Sequence, residues 1–572
     1  MKLNKLFLGA IAALASVAMV ACSDDAPDVN NGGENQDGET SYLAVNIVAP
    51  TSGSSRAQHP NQQPNDATYE DGSEDENSVK DIRFYFFTDG GVASIVKKGA
   101  NVNYYDWTYD KDDPDISIGG GITPNIEKII SAILIIDTSA GDRLPGQVVA
   151  VINPNKEKLG TTSKNLEALR TVVDDYADLA NKKQFVMANS VYMDNNNEVI
   201  KATKLKISDF KASREEATAS PVDIYVERNV AKVRTKFDAG LNITGDKIRA
   251  TEKDDEGNIQ DVTITWMNEK DNEVSTDVYI KVEGWNVNGT LPAADLSKHI
   301  DPTWTNTTLG DNILWNYPEY HRSFWATRNS SPGVNQWINQ ANYADLKIGS
   351  EIYINENADK PEGLQATEIT MLASFVDQND NPIQICEFAG VRTIATNNDY
   401  TLLKRALLQF LRNNNQNVWY FNDSDNQYVA IAPEDIEFKT KKELDSEATT
   451  GLYVVYAQLT ESAKAKKWLA SAEADAAEVT SDNINSNLKN LGSAMIYNQS
   501  YFFTPIKHFK REGVVRNHIY ELNITGITGL GTPIYKPETV TPEQPLTRQS
   551  FLAARINILT WRVMSQNVNF GE

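Results

Sequence analysis

The sequence predicts a mainly β protein with some helix (α+β), arranged as two β-sandwich domains. Short apolar segments that alternate with polar residues recur along the chain, which is typical of half-buried strands. Only a few segments have the spacing of an amphipathic helix, among them residues 164–182, 402–411 and 463–476. The chain has 572 residues, which is too long for a single hydrophobic core, so at least two domains are expected.

The first 21 residues are predicted to be a targeting segment rather than part of the fold. Two lysines precede an apolar run at residues 6–20, which has the length of a signal peptide. Small residues then lead into Cys22, and this pattern resembles a bacterial lipoprotein signal, in which the cysteine is lipidated and becomes the mature N-terminus. An ordinary signal peptide with an incidental cysteine is the alternative.

A polar tether and a first strand follow the leader. Residues 23–40 contain almost nothing apolar and are predicted to be solvated. Residues 42–49 place Leu43, Val45 and Ile47 on one face, which predicts a half-buried strand.

Arg56 marks a candidate cleavage site just after this strand. It is the first basic residue beyond the leader, and it lies in a Gly/Ser-rich loop of the kind that proteases prefer. Cleavage between Arg56 and Ala57 would release the lipid-bearing Cys22 and the first strand as one piece. The alternative is that Arg56 is only a loop charge.

The N-terminal domain is predicted to span residues 57–230 and the C-terminal domain residues 231–572. Residues 222–233 form a strand that either ends the first domain or crosses to the second. Further strands are predicted at residues 79–88, 129–136, 147–152, 185–189, 262–266, 278–284, 351–354, 368–375, 383–388, 452–459 and 500–503.

The last fifteen residues, 558–572 (ILTWRVMSQNVNFGE), are predicted to be a strand at a free chain end. Leu559, Trp561 and Val563 alternate with polar neighbours, and Val568 and Phe570 then continue on the opposite parity. This switch predicts a bulge or two short strands. Such an edge strand either closes a sheet of its own domain or pairs with another molecule.

Composition and motifs argue against several classes of function. The net charge of −24 disfavours binding to nucleic acid or to an anionic membrane surface. No GxSxG, HExxH, P-loop or GxGxxG motif is present, so no enzyme, cofactor or metal site is predicted. The five histidines show no metal-ligand spacing, and structural hydrogen bonds are expected for His508 and His518. The acidic segment 377–381 lacks the spacing of a calcium-binding loop, and Cys386 is expected to be a buried thiol.

Several segments, spread from the first domain to the C-terminus, resemble the major subunit of the short fimbriae of Bacteroidales, a branch of the fimbrillin superfamily that builds type V pili. The resemblance rests on these stretches: 226–233 (VERNVAKV), 321–326 (HRSFWA), 353–357 (YINEN), 501–508 (YFFTPIKH), 513–520 (GVVRNHIY), 529–533 (GLGTP) and 553–568 (AARINILTWRVMSQNV). It implies two transthyretin-like β-sandwich domains.

The resemblance also implies a mechanism of assembly. The precursor is exported as an outer-membrane lipoprotein, and an arginine-specific surface protease cuts after the first strand, here at Arg56. Residues 22–56 then leave, and the groove left behind accepts the C-terminal strand of the next subunit, here residues 556–572. The implied partners are copies of the chain, accessory fimbrial subunits and a host or bacterial surface receptor, and the product is an extracellular fimbria that serves adhesion.

Two other classes of function stay open from the sequence. A monomeric surface lipoprotein could bind glycan or protein through aromatic residues in polar loops, such as Trp304, Trp315, Trp325 and Trp337. A secreted hydrolase would need a carboxylate pair, and no motif singles one out among the acidic residues.

Overall fold

The computed structural model describes residues 40–49, 72–96, 100–109, 118–120, 128–137, 143–193, 198–241, 243–244, 246–267, 272–300, 343–357, 367–395, 399–448, 452–508, 511–534, 551–559 and 564–566. Strands dominate these residues, and the predicted fold class is confirmed.

The described strands fall into two groups, divided at Asn229. The N-terminal unit comprises β1 (Thr40–Ala49), β2 (Asp81–Phe87), β3 (Tyr104–Thr108), β4 (Ile118–Gly120), β5 (Lys128–Asp137), β6 (Gln147–Ile152), β7 (Val173–Asp174), β8 (Met187–Asn189), β9 (Tyr192–Met193), β10 (Val199–Ile200), β11 (Thr203–Lys204) and β12 (Val222–Arg228).

The C-terminal unit contains the remaining described strands. They are β13 (Val230–Phe237), β14 (Ile243–Thr244), β15 (Lys247–Arg249), β16 (Thr251–Lys253), β17 (Ile259–Asp261), β18 (Thr263–Met267), β19 (Glu273–Asp277), β20 (Tyr279–Asn288), β21 (Ala294–Asp295), β22 (Glu351–Asn355), β23 (Glu368–Val376), β24 (Gln384–Phe388), β25 (Val391–Ala395), β26 (Trp419–Asn422), β27 (Gln427–Ala430), β28 (Ile436–Thr440), β29 (Val454–Leu459), β30 (Trp468–Leu469), β31 (Glu478–Val479), β32 (Ala494–Tyr497), β33 (Gln499–Pro505), β34 (Lys507–His508), β35 (Arg511–Glu512), β36 (Ile519–Thr528), β37 (Thr532–Ile534), β38 (Phe551–Leu559) and β39 (Met564–Gln566).

Short helices lie between the strands. They are α1 (Lys156–Leu159), α2 (Leu166–Arg170), α3 (Tyr176–Asn181), α4 (Arg214–Ala219), α5 (Thr401–Asn413), α6 (Lys441–Leu444), α7 (Glu461–Lys464) and α8 (Ser481–Asn490), with 3-10 turns at Ile207–Asp209 and Pro433–Asp435.

Two of the predicted helices are shorter than expected. In place of one helix over residues 164–182, α2 and α3 flank the short strand β7, which pairs with β21. The Asp175 carboxylate accepts a hydrogen bond from the Asp178 amide and caps the N-terminus of α3. The chain therefore forms two separate helices in this region instead of one continuous helix. The segment 463–476 likewise yields only the end of α7, because Trp468 and Leu469 pair in a sheet with Trp419 and Tyr420.

The N-terminal unit is built on one path of paired strands in the order β3-β2-β6-β8-β12-β1-β5-β4. β12 connects the strands β3-β2-β6-β8 to the strands β1-β5-β4, because Val226–Arg228 pair with β8 and Val222–Tyr225 pair with β1. Apolar side chains from both sets of strands, such as Phe84 and Leu134, belong to one buried cluster. This arrangement gives the sandwich-like packing that the alternation of apolar residues predicts.

The C-terminal unit has two sheets in its core and a further layer inserted into it. β13 pairs with β22 and β36 in one sheet, and β20, β23 and β33 pair in the other. The chain between the paired strands β23 and β33 forms additional sheets and helices around their own buried cluster, which includes Cys386, Leu407, Trp468 and Leu488. The described residues thus contain three large hydrophobic clusters, and the third is not anticipated from the sequence.

Residues 222–233 are split between the two units. β12 ends at Arg228 and β13 begins at Val230, where the chain enters the sheet of the C-terminal unit. The sequence left open whether this segment ends the first domain or crosses to the second, and the structure shows two strands, one in each unit. The domain bounds themselves stay a prediction.

A buried polar junction connects the two units. Arg516 is 2% exposed, and its Nε lies 2.9 Å from Oε2 of Glu356. Its Nη1 and Nη2 atoms donate to the carbonyl oxygens of Leu296 and Asp295, both at 2.8 Å. Because Asp295 belongs to β21, which pairs with β7, Arg516 ties the C-terminal unit to the N-terminal one.

A second ion pair lies in the same junction. Lys298 Nζ is 3.2 Å from Oε2 of Glu227, and both side chains are buried. Burial raises the pKa of the Glu227 carboxyl, and the Lys298 ammonium opposes this shift. Buried charges of this kind are tolerated only when they are paired, so the two units are held in a specific arrangement.

We expect Arg516→Ala to lower the free energy of unfolding by about 3–5 kcal/mol, because it leaves Glu356 buried without its partner. Urea unfolding followed by tryptophan fluorescence would measure the change. Arg412→Ala, at an exposed position near the end of α5, is the matched control and should change stability by less than about 0.5 kcal/mol. Equal midpoints for the two variants would contradict the role of the junction.

Candidate functional site

β1 lies inside the N-terminal sheet, with a partner on each side. It pairs antiparallel with β5 over its whole length, from Thr40 opposite Asp137 to Ala49 opposite Lys128. On its other edge, Val45–Val48 pair parallel with Val222–Tyr225 of β12. The backbone groups of β1 therefore serve two neighbouring strands, and β1 is the link between β5 and β12.

The three residues predicted on one face of this strand occupy equivalent positions in the sheet. Leu43 and Val45 are fully buried in the N-terminal cluster. Leu43, Val45 and Ile47 lie opposite Leu134, Ala132 and Ile130 of β5, which are also buried. Directly opposed residues of an antiparallel pair share a face, so Leu43 and Val45 are on the core side of β1 together with their partners on β5.

Helix α4 contacts the same part of the sheet. It packs against both β1 and β5, and its Ala217 is fully buried. The Ser213 hydroxyl accepts a hydrogen bond from the Glu216 amide and caps the start of the helix. A strand in the position of β1 is thus surrounded by partners, and its loss would leave two unpaired strand edges and an uncovered apolar surface.

The C-terminal stretch forms two antiparallel strands in the structure. β38 pairs with β36 from Phe551 opposite Thr528 to Leu559 opposite Ile519, with a bulge after Ile524. β39 pairs with β38 through only three positions, from Met564 to Gln566. Both strands are attached to the sheet of their own C-terminal unit. The bulge or pair of short strands expected within residues 558–572 stays a prediction, because residues 560–563 and 567–572 lie outside the described residues.

Several predicted site residues lie outside the described residues. These are Cys22, Arg56, Ala57, Trp561, Val563, Val568 and Phe570, together with Trp304, Trp315, Trp325 and Trp337 of the alternative glycan-binding hypothesis. Leu559 is described through its backbone, as the last residue of β38.

Three of the segments that carry the fimbrial resemblance meet at the junction. Glu227, Glu356 and Arg516 come from residues 226–233, 353–357 and 513–520, which are far apart in the chain. Sequence reasoning did not bring them together. The available signal was the presence of charged residues inside segments that otherwise have the composition of buried strands.

His508 and His518 make structural hydrogen bonds, as expected. Nδ1 of His508 is 3.0 Å from the Tyr520 hydroxyl, and Nδ1 of His518 donates to the Arg516 carbonyl oxygen at 2.8 Å. The imidazole rings contact each other edge to face, with centroids 4.9 Å apart. Their proximity in space was not apparent from their spacing in the sequence.

The acidic loop at residues 377–381 binds the side-chain ammonium group of Lys247. Nζ of Lys247 donates to the carbonyl oxygens of Asp377 and Gln378 at 3.2 and 2.7 Å, and it lies 3.0 Å from Oδ1 of Asp380. The side chain of Lys247 is 3% exposed, so this ammonium group supplies the positive charge in the loop. Among the described residues, no group of three His, Cys, Asp or Glu side chains is placed to bind a metal ion.

Cys386 is buried in the inserted cluster, as expected. Burial raises the pKa of its thiol to about 12, which leaves almost no thiolate at neutral pH. None of the described helices is long and apolar enough to cross a membrane.

The C-terminal part of the chain matches a known protein family. Residues 497–567, from the end of β32 to just beyond β39, match the family model for the C-terminal region of fimbrillin, a major fimbrial subunit protein type IV. The resemblance to the fimbrillins is thus confirmed over these residues.

Two solved structures show only a distant similarity to this chain. One is a provisionally assigned cell adhesion protein from Bacteroides eggerthii, with 9% identity and a TM-score of 0.30, covering 92% of this chain and 96% of its own. Another is the major pilin of Streptococcus pyogenes, an N168A mutant, with 8% identity and a TM-score of 0.14, covering 62% of this chain and 91% of its own. No curated protein sequence matches the chain.

We expect Leu43→Ala to destabilise the intact chain by about 2–5 kcal/mol, because it removes a fully buried side chain from the core side of β1. Urea unfolding of the intact protein would measure the loss. Tyr225→Ala, on the adjoining strand at a side chain that is 49% exposed, is the control and should change stability by less than about 0.5 kcal/mol. A loss at Leu43 no larger than at Tyr225 would show that β1 adds little to the core.

Proposed function

We propose that this chain is the structural subunit of a surface fimbria, assembled by exchange of a β-strand after proteolysis at Arg56. The observation that supports it most strongly is the position of β1, which lies between two strands and ends at Ala49, just before the candidate cleavage loop. An internal strand so close to a cleavable loop is a removable part of the sheet. The fimbrillin match of residues 497–567 provides the independent support.

Removal of β1 would create a site for an incoming strand. β5 and β12 would each expose backbone donors and acceptors, which are costly to leave unpaired in an apolar environment. The side chains opposite Leu43 and Val45 would lose their apolar contacts at the same time. A strand with apolar residues at alternate positions satisfies both needs, and main-chain hydrogen bonds then provide most of the attachment.

The C-terminal residues provide the proposed donor. β38 is paired with β36 through nine positions, whereas β39 is paired through three. We infer that β38 stays in its own sheet with Leu559 at its end, and that the thirteen residues after Leu559 are donated to the next subunit. This length is sufficient to replace β1, which has 10 residues. Trp561, Val563, Val568 and Phe570 supply the apolar side chains.

The leader fits the same scheme. Lipidation of Cys22 would hold the precursor at the outer membrane, and cleavage after Arg56 would separate the subunit from its anchor in the step that opens the sheet. An arginine-specific surface protease is the proposed processing enzyme. The donated strand joins one end of a subunit to a different surface of the next, so the contact does not close and a fibre grows. The fibre serves adhesion, and no catalytic role is proposed.

We expect Arg56→Lys to abolish processing and polymerisation in the presence of an arginine-specific protease, because the charge is kept but the cleavage specificity is lost. N-terminal sequencing and negative-stain electron microscopy are the measurements. Limited trypsin treatment, which cuts after lysine as well as arginine, should restore an N-terminus at Ala57 and restore fibres. Fibres formed by uncleaved Arg56→Lys protein would refute cleavage as the trigger.

We expect deletion of residues 560–572 to give a folded, processed monomer that does not form fibres, because β38 is retained and only the proposed donor is lost. Size-exclusion chromatography of the protease-treated protein would show the change. The full-length chain treated in parallel is the control. Polymerisation of the truncated chain would exclude these residues as the donor. Absence of fibres from both the truncated and the full-length chain would favour the monomeric surface lipoprotein instead.

A further inference from the structure

The segment that follows the cleavage loop is fixed at the junction by a compact turn, Gly72–Asn77. Its first part is closed by reciprocal hydrogen bonds between Ser73 and Glu76. The Ser73 amide donates to Oε2 of Glu76 at 2.5 Å, and the Glu76 amide donates to the Ser73 hydroxyl at 3.4 Å. This is the pattern of a capping box, and it directs the other carboxylate oxygen of Glu76 away from the turn.

That second oxygen of Glu76 binds two residues of the C-terminal unit. Lys232 Nζ lies 2.7 Å from Oε1, and the Tyr353 hydroxyl donates to the same atom at 2.8 Å. Glu76 is fully buried and the Lys232 side chain is 5% exposed. Burial by itself would raise the pKa of Glu76, but Lys232 and Arg228 outweigh it and lower the pKa, so the carboxylate is ionised.

Arg228, at the end of β12, holds the backbone of the same turn. Its Nε donates to the Glu76 carbonyl oxygen at 3.0 Å, and its guanidinium also donates to Oδ1 of Asn77. The fit leaves no room at Gly72, where an added Cβ would lie 2.7 Å from Nη2 of Arg228. Because Arg228 belongs to β12, which also flanks β1, the turn is attached to the strand that borders the proposed groove.

The residues between the turn and β2 are held by Asn153. Its side chain accepts a hydrogen bond from the Lys80 amide at 2.8 Å and donates to the Ser78 carbonyl oxygen at 2.7 Å. The chain is therefore fixed without a break from Gly72 to the start of β2 at Asp81.

The anchored turn lies between the candidate cleavage site and the next residues after which a trypsin-like protease could cut. No lysine or arginine occurs between Arg56 and Lys80, so the turn separates the candidate cleavage site from the next basic residues. Lys80 is exposed, and Arg83 is buried in β2 with its Nε 2.7 Å from Oδ1 of Asp106. Basic residues of the folded unit thus begin directly after the anchored turn.

We propose that Gly72–Asn77 is a latch that confines the effect of cleavage to β1. The inference rests on the proposed function, because it takes Arg56 as the site of cleavage. When β1 departs, the Glu76 carboxylate keeps the new N-terminal segment attached to the C-terminal unit, Arg228 holds its backbone to β12, and β2 does not fray. The bonds after Lys80 and Arg83 stay protected, so processing ends with a single product that begins at Ala57.

The latch is tested by trypsin digestion of the full chain carrying Glu76→Gln. The substitution keeps the shape of the side chain but removes the charge that pairs with Lys232. We expect the rate of cleavage after Lys80 or Arg83 to rise at least about tenfold relative to cleavage after Arg56, which corresponds to a loss of about 1.4 kcal/mol of local protection. Mass spectrometry would identify products that begin at Asp81 or Phe84. Glu74→Gln, at an exposed position of the same turn, is the matched control and should digest like the unmodified chain.

Hydrogen exchange separates a local latch from general destabilisation. In Glu76→Gln, residues 72–80 should lose amide protection while β6 keeps it. Tyr353→Phe, which removes only the hydroxyl bonded to Glu76, should give a smaller loss of amide protection in residues 72–80. It replaces Glu76→Gln as the test variant if Glu76→Gln does not fold. Unchanged digestion in both variants, or an equal loss of protection in β6, would overturn the latch.

This experiment is independent of fibre formation. Protection of Lys80 that depends on Glu76, together with fibres from uncleaved Arg56→Lys protein, would retain the latch as an anchor and reject proteolysis as the trigger. If protection of Lys80 did not depend on Glu76, and uncleaved Arg56→Lys protein formed no fibres, the latch would be rejected and the proposed assembly mechanism would be retained.

Discussion

The pairing of β1 with both β5 and β12 is the interaction on which the N-terminal unit depends. A strand at the edge of a sheet has one neighbouring strand, so its loss costs one row of hydrogen bonds. β1 instead joins two parts of a sheet, and its Leu43 and Val45 side chains are part of the core. A strand with these contacts can be exchanged for another strand, but the position cannot stay empty without exposing apolar surface and unpaired backbone.

The junction explains how such a unit stays ordered around a replaceable strand. Arg228 ends β12 and Lys232 lies at the start of β13, and both contact the turn that carries Glu76. Arg516 and Glu356 fix the neighbouring chain from the C-terminal unit. The charges are buried, and each ion pair is supported by hydrogen bonds to backbone carbonyls or hydroxyl groups, which is the condition under which buried pairs are tolerated. One wall of the proposed groove is therefore attached to the C-terminal unit.

The sequence was informative where one local pattern determines the structure. The alternation in residues 42–49 predicted a strand, and β1 covers these residues, with Leu43 and Val45 buried in the core. The sequence was less informative where contacts between residues far apart in the chain determine the local structure. Residues 164–182 have helical spacing, yet β7 interrupts them because Ala294 and Asp295 provide a strand partner. The junction is a further case, because the partners Glu356 and Arg516 are 160 residues apart and no periodicity relates them.

The same geometry accounts for the need for a covalent cut in the proposed assembly. While β1 is attached to its own chain, it occupies the groove at an effective concentration of roughly millimolar order. A donor strand from another subunit at about micromolar concentration competes at a disadvantage of about a thousandfold, or ~4 kcal/mol, even if it fits equally well. Cleavage at Arg56 removes this advantage, because the released strand is no longer tethered to the groove it leaves. Latching of Gly72–Asn77 then matters, since it allows the tether to be cut without loosening β2 or the wall formed by β12.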